Sequence, residues 1–296
     1  MIALMSKCIR LLRLIAILSL PYSAQLAAAE ISVAATIRPL QLIAQAIMQD
    51  HGSVSALIDA KDSPHHYALT PGDRLIIEDA DILLWIGPEF EVVLSDVYRG
   101  KSRVKSILTV ADIPDLTIHS LSDSQDDPHF WLSTDNALLI ARELVLYLSE
   151  IDPSKEKSFQ VAFDNFELNV SKADLLIKES LLRFRDTPFL VFHDAFQYFE
   201  KQFGLTAGES LLQDPEMEPS MNELLTIRRR VEDLSVSCLF LERGANDALV
   251  SAIFGDQKPR REFVDLSGFE SADGTQAYVD LVTGVANSFS ACLSEE

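Results

Sequence analysis

Short apolar runs alternate with longer segments of helical periodicity along most of this chain. Ile31 to Thr36 reads as a strand, and Arg38-Pro39 opens a helix in which Leu42, Ile43, Ala46 and Ile47 recur at helical steps. Val54 to Ile58 is the next strand, and a loop from Asp59 to Tyr67 follows. Thr70, Pro71 and Asp73 then have the character of a helix start: a capping hydroxyl, a proline in the first turn and an acid beside it. Asp81 to Gly87 is almost wholly apolar, as a parallel strand covered on both faces must be. Residues 100 to 128 are less regular, with a basic cluster (Arg99, Lys101, Arg103, Lys105) that reads as a solvated face, followed by an acidic loop. Beyond them Ala137, Ile140, Ala141, Leu144, Val145 and Leu148 form the apolar stripe of a helix capped from Ser133 to Asn136.

The next segment sets the domain organisation. From Asp152-Pro153 to Arg185 no further Gly or Pro occurs, and Phe159, Phe163, Phe166, Val170, Ala173, Ile177, Leu181 and Phe184 recur every three or four residues. The spacing predicts one helix of about thirty residues, some 45 to 50 Å long. A strut joining two α/β regions explains such a helix; two helices in one continuous core are the alternative. After Pro188 the pattern restarts. Phe189 to Phe192 is a strand with His193 at its carboxyl end, and Ala195 to Phe203 begins a helix. Ser235 to Leu241 is a strand ending at Glu242, and Glu262 to Leu266 is a short strand around Asp265. Strands alternating with helices on both sides of the long helix make the chain α/β, with two Rossmann-like lobes. The expected division is residues 30–151, the linking helix 152–186, and 187–296.

Composition adds the compartment. Lys7, Arg10 and Arg13 precede and interrupt the apolar run LLRLIAILSL, and small residues at Ala27 and Ala29 follow, the layout of a secretory signal over residues 1–29. That apolar run is short of the roughly 20 residues a membrane span needs, so no span is expected after cleavage. Removing three positive charges takes the formal charge from −20 to −23, which disfavours nucleic acid and anionic lipid as partners. Cys238 and Cys292 survive processing. Outside the cytosol an even pair reads as a disulfide; two buried thiols or metal thiolates are the alternatives, without the CxxC spacing of a zinc site.

Histidines supply the candidate chemistry. His65 in SPHHY, His129 in DDPHFW and His193 in FLVFHDAF stand in turns and beside aromatics, far apart in sequence. Neutral imidazole is a common zinc ligand, and three leave a fourth position for a carboxylate or water. Asp265 and His193 both fall at strand carboxyl ends, where ligands collect in open α/β sheets. His51, His66 and His119 read as ordinary structural histidines. A three-histidine zinc hydrolase is the competing class, but neither HExxH nor GxSxG is present, and no GxGxxG supports a dinucleotide enzyme.

Taken in order, SPHHYALTPGDRLIIEDADILLWIGPEFE, DDPHFWLSTDNA, FLVFHDAFQYFEKQFGL and the strand from Cys238 to Glu242 resemble the metal-binding proteins of ABC transporters, closest to the periplasmic zinc-uptake (ZnuA) type. The resemblance spans most of the processed chain. It implies a solute-binding protein, not an enzyme: two α/β lobes on a long helix, the metal in the cleft, and little closure. It implies His65, His129 and His193 as ligands of a transported Zn2+, Asp265 or water in the fourth position, and a Cys238–Cys292 disulfide. The implied partners are an inner-membrane ABC permease and its ATPase, met in the periplasm by a monomer. Two departures matter. The segment Ser120 to Pro128 is short and lacks the histidine-rich loop of many zinc members, and Pro64 stands where some relatives carry a glutamate. His193 occupies the position where manganese members usually have Glu, so three imidazoles favour zinc, with manganese or another divalent metal as the alternative cargo.

Overall fold

The computed structural model describes residues 30–61, 67–94, 104–122, 125–212, 217–234, 236 and 238–294. The signal segment, His65, His66 and the basic residues Arg99, Lys101 and Arg103 lie outside them. Residues from Ile31 onward form one compact unit.

The first lobe is a parallel sheet of β1 (Ile31–Ala35), β2 (Gly52–Ala56), β3 (Ile82–Trp85) and β4 (Ser106–Thr109), in the order β2-β1-β3-β4. All four residues of β3 are buried, as expected of an inner strand with helices on both faces. Helix α1 (Arg38–Met48) starts at the predicted Arg38-Pro39. Helix α2 (Pro71–Asp79) is held by a reciprocal capping box: Thr70 Oγ1 accepts from the Asp73 N–H at 3.2 Å, and Asp73 Oδ2 accepts from the Thr70 N–H at 2.7 Å. Strand β4 lies inside the region whose sequence pattern is irregular. A short antiparallel pair, β5 (Ser120–Ser122) and β6 (Gln125–Asp126), then leads to α3 (Thr134–Ile151), capped by Ser133 as expected.

Helix α4 runs from Glu156 to Leu181, with 3-10 turns on either side at Pro153–Lys155 and Leu182–Phe184. All eight periodic positions from Phe159 to Phe184 are buried. The regular α-helix has 26 residues, about 39 Å, shorter than the spacing predicts because its outer turns tighten. It packs on α1 and α3 and on the last helix, α8 (Ala277–Leu293).

The second sheet is again parallel: β7 (Leu190–His193), β8 (Glu209–Leu212), β9 (Cys238–Leu241) and β10 (Arg260–Phe263), in the order β10-β9-β7-β8. Read from its first strand outward this is the arrangement of the first sheet, so the two lobes repeat one topology. The pleat separates two faces. Leu190, Phe192, Leu239 and Leu241 join a small core with Ile227 of α6 (Met221–Asp233) and Val250 of α7 (Asp247–Phe254). Val191, Cys238 and Phe240 join the large core, which is continuous through α8, α4 and α1 to the first sheet. Both lobes therefore grip one helical layer. Strand β10 lies two residues before the expected Glu262–Leu266, since its pairing with β9 begins at Arg260 opposite Cys238. Cys238 and Cys292 are bridged.

A strap also crosses between the lobes. The Arg38 guanidinium donates to Ser271 O at 2.9 Å and pairs with Asp273 at 2.7 Å, and Ser267 Oγ donates to Ala60 O at 2.8 Å. Gly268, at φ +73°, packs where a Cβ would lie 2.8 Å from Leu42, so both backbone and space call for glycine there. With a shared core and this strap, large lobe closure would break buried packing.

One acid after β3 affects stability. Glu91 is 3 % exposed, its Oε2 accepts from the Gly87 N–H at 2.9 Å, and burial pushes its carboxyl up to about 7 from 4.5. A raised acid stabilises the fold while protonated and loses that contribution as pH rises through its folded value. On the order of 3 kcal/mol should thus disappear between about pH 4.5 and 7. Glu91→Gln should remove this loss, so that urea titrations at pH 5 and pH 8 differ less than for the unaltered chain.

Candidate metal centre

His193 is the last residue of β7, at the switch point between β7 and β9 where a parallel sheet opens a crevice. His129 comes from the segment between β6 and a 3-10 turn, Phe130–Leu132. That segment is pinned from the second lobe. Tyr198, on α5 (Gln197–Phe203), donates its hydroxyl to Asp127 O at 2.8 Å, and Trp131 Nε1 donates to Leu266 O at 2.9 Å. Two residues 64 apart in sequence are thereby brought together, with Nε2 of His129 and Nε2 of His193 3.4 Å apart.

The far nitrogens define the tautomers. His129 Nδ1 donates to Asp127 Oδ1 at 2.6 Å, and His193 Nδ1 donates to Glu242, the residue after β9. A carboxylate only accepts, so each Nδ1 keeps its proton, and in the neutral ring Nε2 carries the lone pair that could bind a metal. Two nitrogens bound to one tetrahedral zinc at about 2.0–2.1 Å are about 3.3–3.4 Å apart, which is the separation found. His129 and His193 are 3 % and 2 % exposed. Burial disfavours the imidazolium of His193, but Glu242 with Asp127 and Asp194 outweighs it and holds that ring above the ordinary histidine range. A metal ion must therefore compete with a proton there.

The two rings open into a cavity of about 230 Å³ between the lobes, which Arg38, Ala60, Lys61, Glu242, Arg243 and Asp265 also line. Ala60 and Lys61 immediately precede the segment that contains His65. Asp265 shares the cavity, but its oxygens serve a turn: Oδ1 accepts from the Ser267 and Phe269 N–H groups at 3.2 and 3.1 Å, and Oδ2 from the Glu270 N–H at 2.8 Å. Among the described residues no three His, Cys, Asp or Glu side chains converge on one point. His51 and His119 pack against Phe159 and Tyr198 and stay outside the centre, as their sequence settings suggest. Asp127 and Glu242 were not singled out as functional by sequence reasoning. The signals were an acid two residues before His129 and an acid closing the strand beside His193.

Two repeated α/β lobes on a shared helical layer, with the buried imidazoles of His129 and His193 facing the cleft between them, are the frame of a two-lobe binding protein. The family model for the zinc-uptake complex component A, periplasmic, matches residues 33–292. The chain belongs to this ZnuA family. Its relatives include the high-affinity zinc uptake system protein ZnuA of Brucella suis, 28% identical with 89% of this chain and 92% of the relative covered. The protein of that name from Yersinia pestis is 26% identical over 90% and 92%. Among solved structures, a ZnuA crystal structure superposes with TM-score 0.78 at 20% identity, covering 89% of this chain and 99% of that one. The periplasmic zinc-binding protein TroA of Treponema pallidum gives 0.79 at 20%, covering 90% and 100%. At that identity the structural likeness speaks for the fold.

Proposed function

We propose that this chain captures Zn2+ in the periplasm and delivers it to the inner-membrane permease and ATPase of an ABC transporter. His65, His129 and His193 are the ligands in this reading, and Asp265 or water takes the fourth position. The observation that carries it is the 3.4 Å approach of two Nε2 atoms whose Nδ1 atoms are already committed to carboxylates. The relatives named for high-affinity zinc uptake support the cargo, and the family's periplasmic description supports the compartment. Among the described residues no helix is long and apolar enough to cross a membrane. One chain supplies every proposed donor, so capture needs no second copy.

Imidazole suits zinc, whereas manganese prefers harder oxygen donors. Metal-free chain titrated with an equimolar zinc and manganese mixture should take up one zinc per chain and leave manganese in solution. Equal uptake of manganese, or failure of zinc to displace it, would move the assignment to the manganese type.

A further inference from the structure

The outer face of α4 carries a feature that the cleft does not use. Val161, Leu168 and Leu175 stand seven residues apart and are 50, 52 and 70 % exposed, opposite the buried row that begins at Phe159, and Leu182, 60 % exposed, follows at the same interval in the 3-10 turn beyond the helix. Seven residues make nearly two helical turns, so the three helical positions form one line that drifts by only about 20° per repeat. Singly exposed leucines are ordinary, but recurrence at one heptad position along a helix is the spacing of a helix–helix seam. Exposed charges are interleaved with it: Lys157, Asp164, Lys172 and Glu179.

We propose that this row is a self-association surface, on which α4 packs antiparallel against α4 of a second copy about a two-fold axis near Leu168. The charges choose the occupant and its direction. About that axis Val161 comes level with Leu175, Asp164 with Lys172, and Lys157 with Glu179, each twice by symmetry. A parallel pairing would instead set each charge against its own kind. The formal charge of −20 disfavours an anionic membrane as the occupant. A strip about 39 Å long and about 10 Å wide offers about 400 Å² per chain, half of the roughly 800 Å² of a stable complex. The seam is also one residue wide, without the paired apolar positions of a full coiled coil. The dimer is therefore weak and reversible, populated where the protein is concentrated. Helix α4 supplies none of the cleft-lining residues, so association leaves zinc capture intact.

Sedimentation of the chain from Glu30 onward, between about 1 µM and about 1 mM, spans the affinities a small interface gives. The fraction of dimer should rise across that range. Leu168→Glu with Leu175→Glu, two exposed positions that tolerate helix-forming glutamate, should remain monomeric with unchanged circular dichroism. Lys172→Asp alone should weaken the dimer, and adding Asp164→Lys should restore it. A monomer throughout, a dimer indifferent to the leucine substitutions, or a charge swap that fails to restore it would overturn the proposal. So would binding of the unaltered chain to anionic phosphatidylglycerol vesicles that the leucine variant loses.

Discussion

His193→Ala should lower zinc affinity by roughly two to three orders of magnitude while the metal-free chain stays folded. Four-ligand zinc sites are worth about 10–16 kcal/mol, so one ligand contributes about 3–4 kcal/mol, and each 1.4 kcal/mol is tenfold. His193 is the better histidine to remove. Its partner Glu242 has a side chain 19 % exposed and can turn to water, whereas Asp127 behind His129 is fully buried and would be stranded. Competition against a chelator of known affinity measures the change. Asp127→Asn separates ligation from orientation. It keeps an oxygen for the His129 N–H, which now donates to Asp127 Oδ1 at 3.0 Å, but loses the carboxylate that fixes the ring, so affinity should fall about 10–100-fold. Zinc binding unchanged in His193→Ala would remove this histidine from the site.

Acid should act on the same bond. Because the fold holds the His193 ring above its ordinary range, the protonated ring is favoured in the folded chain, and that contribution is present in acid and lost as pH rises. Lowering pH from 7 toward 5 therefore displaces zinc into a protonated cleft that is still folded. The slope of log affinity against pH should be shallower in His193→Ala, where one competing proton is gone.

What the sequence conveys depends on how local the cause is. Helix α4 was legible because eight buried positions follow one period, and the capping box of α2 because Thr70 and Asp73 are three residues apart. Strand β4 was not, since a four-residue segment is fixed by pairing with β3 rather than by any alternation of its own. Strand β10 was placed two residues late for a related reason. Its residues RREF are polar but for the exposed Phe263, as an edge strand permits, and the buried apolar Val264 lies just beyond it. The pairing of His193 with Glu242 spans 49 positions and has no sequence period. It arises only when β7 and β9 lie side by side. The place of Asp265 near a strand's carboxyl end can be read from the pattern, whereas its hydrogen bonds to the Ser267, Phe269 and Glu270 N–H groups are set by loop geometry that pattern reading does not reach.

Opening the Cys238–Cys292 bridge should cost the largest share of stability of any single covalent change, and it should do so without touching the cleft. The two cysteines are 54 positions apart, and closing a loop of that length in the unfolded chain is worth about 4 kcal/mol. Cys238 begins β9 and Cys292 lies near the end of α8, so the bridge fastens the last helix to the amino-terminal end of an inner strand, opposite the strand ends where His193 and Glu242 sit. Arg260 reinforces the same corner by donating to the carbonyls of Ala291 and Cys292 at 3.2 Å. The double variant Cys238→Ser, Cys292→Ser should therefore melt about 10 °C lower, as a domain of this size loses roughly 2–4 °C per kcal/mol. Its zinc stoichiometry and affinity at 25 °C should match those of the bridged chain. Saturating zinc should recover part of the loss, since a ligand that binds only the folded state raises stability by mass action. A melting point indifferent to the substitution would mean that the packing of α8 on α4 alone holds the helix. A loss of zinc affinity as large as that of His193→Ala would mean that the two ends of the second sheet are not independent.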